Sequence, residues 1–127
     1  MHERRKQPRK QLMSYTQVFD LYGGLLLGYL GDMNLGGIMV IGEKDMDINT
    51  ELTLAIELPE LKGITAHRMT IPARAVWCKS DISPEYFNIG FEFQKLQAEQ
   101  ARIISAVMEN YEFRRDMPKY NTKPSTD

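Results

Sequence analysis

Two arginines, Arg5 and Arg9, stand four residues apart with Pro8 between them. Proline disfavours a continuing helix there and stiffens the segment, so both guanidiniums belong on an extended, bent strap. A guanidinium is a planar fork of donors that grips a phosphate bidentately and stacks on a purine face. Arg4, next to this pair, adds a further cation. Downstream runs Gly31-Asp32-Met33-Asn34-Leu35-Gly36-Gly37-Ile38. In extended chain Asp32 and Asn34 share a parity and emerge on one face. A carboxylate there accepts from the N1–H and N2–H of a guanine edge, and the Asn34 amide both donates and accepts. Gly36-Gly37 lets the backbone turn sharply and lets a ligand come close. Each segment also has a plainer reading, a solvated basic start and a β-turn rich in Asp, Asn and Gly.

Catalysis finds no comparable set. A nucleophile needs a base beside it, and the two histidines, His2 and His67, have no sequence neighbour that completes a triad or a metal pair. The single cysteine, Cys78, follows Trp77 at an expected strand end and reads as a half-buried, inert thiol. Asp45 and Asp47 fall in a turn after Gly42 and read as a solvated loop. We expect no enzyme, no cofactor and no metal, since one cysteine and two histidines are too few for a zinc site of the usual type.

Charge is unevenly placed. The first ten residues carry a net +4 and the remaining 117 a net −5, for −1 over the 127-residue chain. A cationic arm therefore precedes a mildly acidic body, and anion binding belongs to the arm. The acidic body, with strand aromatics on the inward parity, argues against a barrel for nucleic acid polymers. The apolar run at residues 21–30 is too short to span a bilayer, is broken by three glycines and is followed by no cleavage signal. A cytoplasmic location without membrane insertion is the expectation, in line with the lone thiol.

The elements that must position these residues are mostly of period two. Residues 15–22 are β-rich, Gly23-Gly24 is a hairpin signal, and residues 25–30 and 38–41 are apolar. Alternation is clear over residues 52–58, 69–77 and 87–93, and it groups Trp77 with Met69 and Ile71 in the core. Six strands at short spacing without intervening helices predict an antiparallel barrel or sandwich. Ala101, Ile104, Met108 and Tyr111, with Ile103 and Val107 beside them, form a helical stripe within residues 97–113 that would lid the barrel. The boundaries expected are a flexible basic strap at 1–12, barrel plus helix at 13–115, and a polar, disordered tail at 116–127.

In this order the two polar segments resemble the motifs of the PilZ domain family: Arg-x-x-x-Arg in an N-terminal strap, then Asp/Asn-x-Ser-x-x-Gly on the barrel. They stand here as Arg5-Lys6-Gln7-Pro8-Arg9 and Asp32-Met33-Asn34-Leu35-Gly36-Gly37. Ala75-Val76-Trp77 followed by Ile89-Gly90-Phe91-Glu92-Phe93 is similar to the last barrel strands of that family. The resemblance implies a mainly β fold, a six-stranded antiparallel barrel with a C-terminal helix. It implies a non-enzymatic receptor for the bacterial messenger cyclic di-GMP, with Arg5 and Arg9 clamping the ligand and Arg4 adding a contact. Asp32 and Asn34 would read a base, and Gly37 would permit the turn. Asn34 departs from the family serine. A single domain of this kind implies output through an unidentified downstream protein, with a barrel adapter that does not bind the nucleotide as the alternative.

Overall fold

The structure is a computed structural model, and it describes residues 10–13 and 15–113. Its strands are β1 (Gln11–Leu12), β2 (Gln17–Asp20), β3 (Leu26–Asn34), β4 (Gly37–Gly42), β5 (Glu51–Glu57), β6 (Arg68–Ser80) and β7 (Phe87–Phe93). Helix α1 (Ala98–Asn110) and a last strand, β8 (Tyr111–Glu112), complete the described chain. Strands β2 to β7 close into a barrel in the order β2-β3-β4-β7-β6-β5, every neighbour antiparallel. Closure leaves no barrel strand with an unpaired edge. The expected six-stranded antiparallel barrel with a C-terminal helix is what the chain forms.

Alternation does what the sequence pattern says it should. Leu54 and Ile56 of β5, Met69, Ile71, Ala73 and Ala75 of β6, and Ile89, Phe91 and Phe93 of β7 all point into one core. Fully burying an aliphatic side chain of this kind is worth about 1.5–3 kcal/mol. The ion pairs Arg74–Glu92 and Glu99–Arg102 are exposed to solvent and contribute little. Stability therefore comes mainly from the core. Helix α1 stoppers the barrel through Ile103, Ile104 and Val107. Its first turn is held by the Gln97 N–H donating to Gln100 Oε1 and by Gln100 Nε2 donating to the Thr70 carbonyl on β6.

Three departures from the expected pattern matter for function. β3 bulges at Gly31: Leu30 pairs with Val40 and Asp32 with Met39. A bulge inserts one residue and resets the alternation, so Leu30 and Met33 both face the core while Asp32 and Asn34 both face outward. A second bulge lies between Ala75 and Trp77. It corrects the core reading of Trp77. The ring is buried, but it lies outside the barrel against the backbone of Gly90, and Cys78 turns toward the core instead. Any β-carbon on Gly90 would overlap that indole.

The third departure is at the ends. The expected helix to residue 113 stops at Asn110, because Tyr111 is extended (φ −133°, ψ 148°) while its N–H still caps the Val107 carbonyl. Tyr111 and Glu112 then pair in parallel with Gln11 and Leu12, and the Met13 N–H donates to the Glu112 carbonyl at 2.7 Å. The strap boundary expected after residue 12 thus falls inside a β-tie: Gln11 and Leu12 are fastened to the end of the helix. β2 starts later than expected, after Tyr15, which holds a left-handed φ of 58° and stands edge-on to the Tyr29 ring at 5.9 Å. Among the described residues no helix is long and apolar enough to cross a membrane.

Candidate functional site

The polar segment read from the sequence is the tip of the β3–β4 hairpin. Asn34 pairs with Gly37 across a two-residue turn of Leu35 and Gly36. Asn34 Oδ1 accepts from the Gly36 N–H at 2.8 Å and from the Gly37 N–H at 3.0 Å. Asparagine side chains hold turns in this way. The plain turn reading and the recognition reading therefore meet in one residue, whose carbonyl end serves the turn. Asp32, half-buried, accepts from the Met33 N–H at 2.8 Å through Oδ1.

Pairing register extends the site across the barrel. Asp32, Met39, Gly90 and Trp77 are successive Cα partners on β3, β4, β7 and β6. The next outward row is Asn34, Gly37, Glu92 and Arg74 on the same strands. With strands about 4.8 Å apart, each row spans about 14 Å from β3 to β6. The face carries two carboxylates, one amide, one guanidinium and the packed edge of an indole, separated by two glycines. Met39 is buried on this outer side, its methyl group against Gly31.

The packing of the barrel, and not the conformation of the turn, places a demand on Gly37. Neither Gly36 nor Gly37 has a positive φ, so the turn itself makes no demand on glycine. A β-carbon on Gly37 would overlap the Phe91 carbonyl oxygen of β7. Glycine is there so that two strand backbones can approach closely.

Of the sequence-derived site residues, the structure brings Asp32, Asn34 and Gly37 together on one hairpin. Arg4, Arg5 and Arg9 lie outside the described residues. Their attachment point is described: Lys10, exposed, leads into β1 and so into the tie with β8. Sequence reasoning missed Arg74 and Glu92, which join at 2.8 Å through Nη2 and Oε1. Their outward parity was legible, but not that β6 and β7 would place them opposite each other. Among the described residues no group of three or more His, Cys, Asp or Glu is disposed to hold a metal ion.

The geometry of the turn sets one expectation. Asn34→Ala removes the acceptor of two backbone N–H groups and should cost about 1 kcal/mol, lowering the melting temperature by several degrees. Asn34→Ser should cost less, because a hydroxyl makes the same kind of turn bond more weakly. Thermal denaturation of the two variants checks this. Equal melting of wild type and Asn34→Ala would show that the turn does not depend on the amide.

Comparison with known proteins agrees with the architecture. The model of the PilZ domain matches residues 3–110. The solved structure of the Bacillus subtilis inhibitor of motility (MotI/DgrA) is similar over 85% of this chain and 51% of that one, at 18% sequence identity with a TM-score of 0.56. The chain thus spans about half the length of that protein, and at this identity the likeness is one of fold. No curated protein matches. A closed antiparallel barrel, a hairpin bearing Asp-x-Asn-x-x-Gly on its outer side, a helix in the lid position and a family match over most of the sequence lead to one assignment: the chain belongs to the PilZ domain family.

Proposed function

We propose that this chain is a receptor for cyclic di-GMP. The observation that carries the reading is the outward alignment of Asp32 and Asn34, produced by the Gly31 bulge, at the polar hairpin of a PilZ domain. Without the bulge Asp32 would share the parity of Leu30 and face the core with it. In the proposed complex Asp32 accepts from the N1–H and N2–H of one guanine. The Asn34 amide lies at the same edge. Arg5 and Arg9, with Arg4 beside them, hold the two phosphates and stack on the bases.

The mechanism is closure of the arm. Five cationic side chains within residues 1–10 repel one another, and two ligand phosphates offset that repulsion. Each hydrogen bond to a charged group contributes about 1.5–3 kcal/mol net, against about 1–2 kcal/mol for ordering each backbone residue. Several such bonds outweigh the cost for a short strap. The surface formed by arm and barrel would then meet a downstream protein. No catalytic step is part of this reading, and location in the cytoplasm follows from the nature of the ligand.

One observation favours a second reading, an adapter that does not bind the nucleotide: Asn34 Oδ1 already serves Gly36 and Gly37. Calorimetric titration with cyclic di-GMP, with GTP as control, decides between them. Saturable heat with cyclic di-GMP and none with GTP is the expected outcome. Absence of binding by the wild type, with binding gained in Asn34→Ser, would establish the adapter and identify Asn34 as the disabling residue.

A further inference from the structure

Arg74 is an arginine whose surroundings use little of it. It stands on the outer side of β6 between two acidic register partners, Glu51 on β5 and Glu92 on β7. Its Nη2 donates to Glu92 Oε1, while its Nε is buried and makes no hydrogen bond among the described residues. A guanidinium carries five donors, and a buried donor left without an acceptor is a destabilising feature that calls for an explanation. The Glu92 contact is half-exposed and of the weak class. The conformer seen is thus held by one weak bond and opposed by one unsatisfied group.

Position gives this arginine a use. Asn34, Gly37, Glu92 and Arg74 form one row of register partners across β3, β4, β7 and β6. Gly37 has no side chain, so Glu92 is the single side chain in that row between Asn34 and Arg74. A ligand seated at the hairpin and extending across the face meets Glu92 and Arg74 next. An anionic ligand is repelled by the first and attracted by the second, and a phosphate matches the guanidinium fork as well as a carboxylate does.

We propose that Arg74 is a further anion-binding residue of the barrel face, held in reserve by Glu92, which occupies the place a ligand phosphate takes. Binding exchanges one acidic partner of Arg74 for another and lets the side chain leave the conformer in which Nε is unsatisfied. Glu92 is a competitor in this arrangement, so the two members of the ion pair have opposite effects on affinity. This inference rests on the cyclic di-GMP reading of the hairpin.

The opposite signs make the test. Wild type, Arg74→Ala, Arg74→Lys and Glu92→Gln are titrated calorimetrically with cyclic di-GMP at one ionic strength, and each is melted without ligand. Arg74→Ala should bind about ten-fold or more weakly, with Arg74→Lys between it and wild type because lysine keeps the charge without the fork. Glu92→Gln should bind about two- to five-fold more tightly, since it frees Arg74 and removes a negative charge from the face. A wild type that binds, with Arg74→Ala equal to it, overturns the role of Arg74 alone. Equal weakening in Arg74→Ala and Glu92→Gln overturns it as well, because a pair that only supports the barrel loses by either substitution. A wild type that does not bind overturns the receptor reading and this inference together.

Discussion

Arg5→Ala and Arg9→Ala are each expected to weaken cyclic di-GMP binding by about 10- to 150-fold, the range that follows from losing one charge-assisted interaction of about 1.5–3 kcal/mol. The melting temperature of the ligand-free protein should stay within a degree or two of wild type. The two expectations separate because the arginines precede the β-tie and the core lies beyond it. Lys10 is the first described residue, and the body is fastened from Gln11 onward by Tyr111 and Glu112. That attachment also limits the search the arm must make. From Lys10, five residues of backbone reach no farther than about 17 Å even in full extension, and a tether that short raises the effective concentration of the arm at any site within its reach. Titration at low and high salt is the measurement, because exposed phosphate contacts are screened within about 10 Å at 0.1 M ionic strength. The wild type should lose affinity with salt more steeply than either variant. Unchanged affinity in either variant would remove that arginine from the clamp.

The barrel is legible in the sequence because its core obeys one simple period. Counting alone sorts Leu54, Ile56, Met69, Ile71, Ala73, Ala75, Ile89, Phe91 and Phe93 to the correct side, and all nine are buried together. What counting cannot see is a residue that belongs to neither face. The bulges at Gly31 and between Ala75 and Trp77 each shift the count by one. The first leaves the Asp32 and Asn34 parity intact, since both lie beyond it. The second falls between Trp77 and the residues used to place it, so counting assigns the indole to the wrong side of the sheet. The pairing of Gln11–Leu12 with Tyr111–Glu112 joins residues a hundred positions apart through two-residue strands. Segments that short carry no periodicity, and the adjoining helical stripe runs on into Tyr111, which remains partly packed on the core. The site is legible as two polar motifs and no further. The Arg74–Glu92 pair depends on the β6–β7 register, which the shift at Val76 sets.

Gly37→Ala is expected to destabilise the fold by about 3 kcal/mol, the upper part of the range for overpacking, and to lower the melting temperature by about 10–20 °C. The neighbouring Gly36→Ala should change it little. Residue type by itself gives both glycines the same kind of reason, a turn and room for a ligand. The structure separates them. At Gly36 the nearest atom to an added methyl is the Asn34 side-chain oxygen at 3.4 Å, the end of a side chain that can shift by tenths of an ångström. At Gly37 the added carbon would meet the Phe91 carbonyl oxygen, and Phe91 is in register with Ile38 within the β4–β7 ladder. Relief would require β4 and β7 to move apart. In an open sheet an edge strand yields, but here β4 is paired on one side by β3 and on the other by β7, and the ring is closed. The strain is therefore shared with Ile38 and Phe91, both packed in the core. The comparison needs thermal melts of the two variants and wild type without ligand, followed by titration with cyclic di-GMP well below the lowest midpoint. Gly37→Ala should show its loss already in the melt, before any ligand is added. If instead it melts with the wild type and fails only in the titration, the glycine serves the ligand and not the approach of the two strands.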